Sequence, residues 1–241
     1  MFTMWCVMTY FQMTSGTDVE KSPVRFYSDF AVHRPLLTMA VYIISIIFAG
    51  FISYTAWPGS SLFSWHPTLM TIAFALLMCQ AVMVFSPYSI FKAADRKSKT
   101  QWHWIVMIAA MVTSGGGLAT IVYNKYRNGA SHFTTWHGLI GLITMIYMCC
   151  QSSGGTLLLY HNLVKKFVKL KDMKMYHATS GLFMYMLASA SLVLGMYSSW
   201  FQAVVTGTSW YVCASCPGLL ALFVMNQITT AYLPKPAQPR M

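Results

Sequence analysis

The sequence predicts an all-α integral membrane protein, a bundle of six transmembrane helices. Three observations predict it. Of the 241 residues 56% are hydrophobic and only 9% charged, whereas about a quarter of an ordinary soluble domain is charged. Six apolar runs interrupt the polar sequence. At about 1.5 Å per helical residue, each is long enough to cross a hydrocarbon core roughly 30 Å thick. Finally, fourteen of the sixteen Lys and Arg residues fall in alternate connecting segments, the asymmetry that orients helices in a bilayer.

Residues 1–35 begin with a short Met-rich apolar stretch and continue into polar sequence. The stretch has neither a basic leader region nor a small-residue cleavage site, so the segment reads as a cytosolic tail, surface-lying or disordered. Pro35 introduces the first span, 36–56, and the breakers Trp57-Pro58-Gly59-Ser60-Ser61 follow it. The second span, 66–85, opens with Trp65-His66-Pro67. Pro67 belongs in the first helical turn, where its missing N–H costs nothing. Ser86-Pro87 ends this span, and a basic loop carries Lys92, Arg96, Lys97 and Lys99.

The third span, 102–123, contains Gly115-Gly116-Gly117 and gives way to a polar loop with Lys125 and Arg127. The fourth, 136–160, leads into a loop holding Lys165, Lys166, Lys169, Lys171 and Lys174. The fifth is 176–200 and the sixth 210–232, before a short Pro-rich tail at 233–241. No connection has room for a separate soluble domain. The expected organisation is one transmembrane domain, 36–232, between two cytosolic tails.

Composition excludes several kinds of chemistry. The five acids (Asp18, Glu20, Asp29, Asp95 and Asp172) all lie outside the apolar spans, so paired-carboxylate catalysis has no raw material. The net charge of +11 is gathered in particular loops, which argues for topology rather than a nucleic-acid surface. Cys213 and Cys216 form a C-x-x-C without a second pair. On a helix, small buried hydrophobes describe them better than a zinc or redox site.

What remains is a recurrence. His66, His103, His137 and His177 each open one of the four middle spans. Consecutive spans run antiparallel, so His66 and His137 share one surface of the membrane, and His103 and His177 share the other. A haem iron held from both sides needs two imidazoles on facing helices, and each pair supplies that. Gly141 and Gly181 follow His137 and His177 by four residues, one turn along the same helix face, where a missing side chain leaves a flat patch for a large ring. Met70 and Met107 hold that spacing after the other two, and pliable Met side chains pack well against a macrocycle. The central four helices are therefore expected to hold two haems. His33, His132 and His161 stand outside the pattern and read as solvated histidines.

At these residues the chain resembles the cytochrome b561 family. The resemblance rests on Pro58-Gly-Ser-Ser-Leu-Phe-Ser-Trp-His-Pro67, on Tyr176-His-Ala-Thr-Ser-Gly181, on His137, Gly141 and Gln151, and on Asn226-Gln227. It covers roughly residues 36–232. It implies two b haems, with His66 and His137 holding the iron on the non-cytosolic side and His103 and His177 the iron on the cytosolic side. It also implies electron transfer from cytosolic ascorbate to monodehydroascorbate or ferric iron across the membrane, in the endoplasmic reticulum or a cytoplasmic vesicle, and it allows a homodimer. On the donor side Lys92, Arg96, Lys97, Lys99, Lys165, Lys166 and Lys169 are candidates to attract an anionic reductant. Better-known members end the second span with an Arg tied to ascorbate, where this chain has Ser86, and they surround the fourth-span histidine with Ser-Leu-His-Ser-Trp, where this chain has Thr135-Trp-His-Gly-Leu139.

The competing reading is a transporter that uses the histidines for a divalent metal or for protons. It predicts ligands gathered near the bilayer midplane and broken helices. The histidines sit at the span ends instead.

Overall fold

The computed structural model describes residues 23–232, with side chains from residue 35 onward. The tails expected at 1–22 and 233–241, and the side chain of His33, lie outside the described residues. The chain divides into two compact units, Met1–Leu36 and Leu37–Met241, and the functional histidines all belong to the second.

Among the described residues seven helices follow one another, besides a single 3-10 turn at His161–Leu163: α1 (Pro23–Ala56), α2 (Trp65–Met83), α3 (Arg96–Arg127), α4 (Trp136–Leu159), α5 (Leu170–Gly195), the short α6 (Ser199–Val204) and α7 (Gly207–Tyr232). All except α6 contain a span long and apolar enough to cross a membrane, and no strand occurs among the described residues. The protein is a six-helix transmembrane bundle, as the hydropathy pattern requires.

Four helices begin earlier than their apolar runs: α1, α3, α5 (at Leu170 rather than 176, which puts Lys171 and Lys174 on the helix) and α7 (at Gly207 rather than 210). α1 starts at Pro23 and runs through Pro35, where one ladder hydrogen bond is forfeited because proline has no N–H. α3 starts at Arg96 rather than 102, because Asp95 caps it and accepts from Lys97 N at 3.2 Å and Ser98 N at 3.3 Å. The Ser98 hydroxyl and main-chain N–H hold the Asp95 carboxyl below its ordinary value. Arg96, Lys97 and Lys99 therefore lie on the first turn of α3 and not in a loop. A hydropathy pattern marks where a helix enters the bilayer, whereas the cap marks where it begins.

α2 lies at the centre of the packing. Its Ala73, Met78, Cys79 and Ala81 are wholly buried, joined by Val41 and Phe48 of α1, Met184 and Ala188 of α5, and Leu220 and Val224 of α7. α2 packs along α3, α4 along α5, and α5 along α7. The approach to α2 is fixed by Ser64, whose Oγ accepts from Gly59 N (3.1 Å) and donates to Ser61 O (2.7 Å). Gly59 sits at φ +96°, a conformation that costs little without a Cβ. That turn places His66 at the start of its helix.

Within α2, residues Ile72–Met78 form a π-helix. A π segment inserts one extra residue into the α register. Its consequence appears at the histidines.

Candidate functional site

The four span-opening histidines come together as two facing pairs. His66 of α2 and His137 of α4 have ring centres 5.9 Å apart, and His103 of α3 and His177 of α5 have theirs 6.3 Å apart. The planes are nearly perpendicular, at 78° and 82°. A histidine nitrogen binds a metal at about 2.0–2.1 Å and lies about 1.1 Å from its ring centre. Two imidazoles on one iron thus stand roughly 6.3 Å apart, and both pairs fit that requirement. Among the described residues no three His, Cys, Asp or Glu side chains converge.

Hydrogen bonds fix which nitrogen each ring presents. His66 Nδ1 donates to Gly117 O (2.9 Å), His103 Nδ1 to Ala81 O (2.8 Å) and His137 Nδ1 to Ser191 O (2.9 Å). A carbonyl oxygen has no proton to give, so Nδ1 carries the hydrogen in all three. That leaves the Nε2 lone pair for iron, in the usual arrangement of a metal-ligating histidine. His177 differs: its Nδ1 faces Gln151 Nε2 at 3.2 Å.

The groups that meet the Nδ1 atoms obey a rule of spacing. Gly117 stands fourteen residues after His103, Ser191 fourteen after His177, and Gln151 fourteen after His137. In an α-helix fourteen residues are about 1,400° of turn, within roughly 40° of the starting face, and eighteen return to it. Each histidine of an antiparallel helix pair thus meets its neighbour's own histidine face, about 21 Å along the axis. Ala81 is the exception, fifteen residues after His66. The extra residue is the one that the Ile72–Met78 π segment inserts.

Glycines line this face at two levels. A Cβ on Gly195 would lie 3.1 Å from His137 Cε1, and one on Gly155 would lie 3.0 Å from His177 Cε1. These two, eighteen residues after the histidine of their own helix, are the glycines that lie against imidazole. Gly141 and Gly181, expected to leave a flat patch for a large ring, face the partner helix. An added Cβ would meet Ser191 Oγ at 3.2 Å from Gly141 and Gln151 Nε2 at 2.8 Å from Gly181. Their space admits the residues that orient His137 and His177. Between α2 and α3 the same contact is made the other way round, with Met70 Cγ 3.3 Å from the Cβ position of Gly117. Met70 therefore packs on a helix backbone.

Sequence reasoning missed Gly155, Gly195, Ser191 and Gly117, and it used Gln151 only as a point of resemblance. The signal was there: α4 and α5 both read His, Gly at +4, Gln or Ser at +14, and Gly at +18.

Of the basic residues expected on the donor side, Lys92, Arg96, Lys97, Lys165, Lys166 and Lys169 are exposed. Lys99 Nζ donates to Lys92 O at 3.4 Å. Arg96 is the one tied to a histidine. Its guanidinium lies 5.7 Å from the Phe85 ring centre, and Phe85 lies 5.3 Å from His103. Ser86 is 1% exposed, and its Oγ accepts from Tyr88 N. A side chain at that position points into protein, not toward solvent.

Of the remaining histidines, His132 is exposed beside Phe133, and His161 donates from Nε2 to Val168 O at 2.9 Å. Cys213 and Cys216 are free thiols on α7, with Cys216 Sγ 3.3 Å from Val212 O.

Comparison with known proteins supplies the family. The family described as eukaryotic cytochrome b561 matches residues 65–202, a range that takes in all four histidines. Transmembrane reductase CYB561D2 of Bos taurus is 43% identical over 206 residues, covering 84% of this chain and 92% of the relative. Probable transmembrane reductase CYB561D1 of Mus musculus is 38% identical over 195 residues, covering 80% and 85%. Ascorbate-specific transmembrane electron transporter 2 of Zea mays is 25% identical over 185 residues, covering 76% and 75%. The chain belongs to the haem-binding cytochrome b561 family.

Proposed function

We propose that this protein is a transmembrane oxidoreductase that carries electrons through the bilayer between two b haems, one on each histidine pair. The observation that carries the reading is the pair of facing imidazole sets at opposite ends of the same four helices, three of the four rings giving their Nδ1 hydrogen to a carbonyl and leaving Nε2 for iron. Haem, when bound, supplies the one-electron ferric–ferrous couple. Two histidines holding each iron would leave no open position, which favours electron transfer over oxygen activation. The helices supply the rest: fixed ring orientation, burial, and about 21 Å between the centres.

The donor is cytosolic ascorbate, and the acceptor on the other face is monodehydroascorbate or ferric iron. The names of the relatives support a reductase and an ascorbate-linked activity. The bias of Lys and Arg supports an arrangement with both termini in the cytosol, which puts His103 and His177 on the ascorbate side. The membrane is that of the endoplasmic reticulum or a cytoplasmic vesicle, and the chain works alone or as a homodimer. Protein in liposomes with ascorbate trapped inside and a ferric chelate outside tests the activity. Ferrous iron should appear outside only when protein and trapped ascorbate are both present.

The basic residues on the donor side attract the anionic reductant. The triple variant Lys165→Gln, Lys166→Gln, Lys169→Gln should slow haem reduction by ascorbate about tenfold at low salt, and the difference should shrink as salt rises. An unchanged rate, with orientation intact, removes the steering role.

A further inference from the structure

We propose that the cavity between α1, α2 and α3 is a sterol site, in which the Gln80 amide oxygen accepts a hydrogen bond from the sterol hydroxyl. Such a site goes beyond the electron-transfer reading and does not depend on it.

The cavity has a volume of about 250 Å³ and lies beside Tyr42 and Ile46 of α1, Gln80 of α2 and Trp102 of α3. Ile90 and Phe91, from the segment that joins α2 to α3, close part of it. Ile46, Ile90 and Trp102 are exposed, so the opening faces the lipid. Its depth is set by the helix. Gln80 is next to Ala81, whose carbonyl holds His103, and α2 ends at Met83, about 4.5 Å further along the axis. That is where a lipid hydroxyl lies, not the middle of an acyl chain.

At the wall of this apolar cavity stands an acceptor without a donor. Gln80 Nε2 donates to Ser45 Oγ at 2.7 Å, and Ser45 Oγ gives its own hydrogen to Tyr42 O at 2.9 Å. The Ser45 hydrogen is thereby used, so the amide nitrogen must face Ser45 and the oxygen must face away. Gln80 Oε1 is buried and has no partner among the described residues. An unmet buried acceptor costs about 1–3 kcal/mol, and no water in the hydrocarbon region relieves it. Water suits these walls poorly, since it needs two to four polar partners. A small turn of the amide about its last torsion, which is soft, brings Oε1 to the cavity.

The occupant is therefore an apolar body with one hydroxyl, lying at the membrane surface. A sterol has that shape, and its fused rings lose little freedom on binding. The cavity is smaller than the roughly 300–1,000 Å³ that encloses a whole ligand, so it takes the hydroxyl end and leaves the tail in lipid. Phe91 and Trp102, with ring centres 5.3 Å apart, give the rings a flat wall. The segment Val84-Phe-Ser-Pro-Tyr88-Ser-Ile-Phe-Lys92 also follows the Val/Leu, Tyr, Lys/Arg order proposed for cholesterol contact. That order is weakly specific and recurs at Leu118, Tyr123 and Lys125. Here, however, Val84, Ile90 and Phe91 of the segment line the cavity itself.

Purified, haem-loaded protein in phosphatidylcholine vesicles, exposed to a photoactivatable diazirine cholesterol, tests this. Labelling should saturate and map to peptides that carry Ile46, Gln80 or Phe91. Unlabelled cholesterol should compete, and cholestane, the same rings without the hydroxyl, should compete about fivefold less well. Ile46→Trp fills the opening from α1 and should weaken labelling about tenfold. Gln80→Met keeps the length and removes the acceptor. It should weaken labelling about fivefold and erase the difference between cholesterol and cholestane. Circular dichroism shows that each variant is folded. Labelling that never saturates, or that both folded variants leave unchanged, would overturn the proposal. So would cholestane that competes with wild type as well as cholesterol does. Displacement by a fatty alcohol but not by cholesterol would give the cavity to an acyl chain and overturn it equally. Colourless protein that still labels in this pattern would remove the haem reading and leave the sterol site standing.

Discussion

His137→Ala is expected to lose one haem of two and to end transfer across the membrane, while the remaining haem is still reduced by ascorbate. His66 and His137 come from different helices, and their rings meet at 5.9 Å. Removing one imidazole leaves a single ligand for that iron. The other pair draws on α3 and α5, and the partners of its histidines, Ala81 and Gln151, lie toward the opposite ends of α2 and α4. Haem per chain should fall by half. The rate of ferric reduction in the liposome assay should drop at least a hundredfold, to the level of empty vesicles. Full retention of both haems would show that His137 is not a ligand.

Valine at Gly195 and at Gly155 should empty one centre each. The missing Cβ atoms lie 3.1 Å from the ring of His137 and 3.0 Å from that of His177. A branched side chain has nowhere to go unless the imidazole turns. Overpacking of this kind costs about 1–3 kcal/mol, and here the strain falls on the ring that must present Nε2. Gly195→Val is expected to deplete the His66–His137 haem, and Gly155→Val the His103–His177 haem. Gly154→Val is the internal control. It has nothing within 4 Å of its Cβ position, carries the same change in helix propensity, and should keep both haems. Haem content by difference spectra separates the three. Val variants at 155 and 195 that match the 154 control would remove those glycines from the site.

Much of this was legible in the sequence because the bilayer imposes it. Apolar length fixed six spans, and alternation of direction sorted four histidines into the two pairs that the rings now show. What stayed hidden depends on the register between helices. Gly141 and Gly181 drew attention because they stand one turn from a histidine on the same helix, yet the space that matters lies across the α4–α5 interface. There Gly155, Gly195, Gln151 and Ser191 reach the partner's ring. The π segment was invisible for another reason. Ile72–Met78 is a plain apolar run, and nothing in its composition tells an i+5 ladder from an i+4 ladder. Only the fifteen-residue interval from His66 to Ala81, set beside fourteen elsewhere, betrays it. The start of α3 was misplaced because Asp95 caps a turn outside the apolar run.

Electron transfer through this bundle requires iron porphyrin between these imidazoles. The most direct measurement is the absorption spectrum of protein purified after expression with ample haem, taken with a haem count per chain, before and after adding ascorbate. Two b-type haems per chain, with sharp α-bands that deepen on reduction, are the predicted result. Folded protein that is colourless, or whose spectrum is unchanged when all four histidines are replaced, would contradict it.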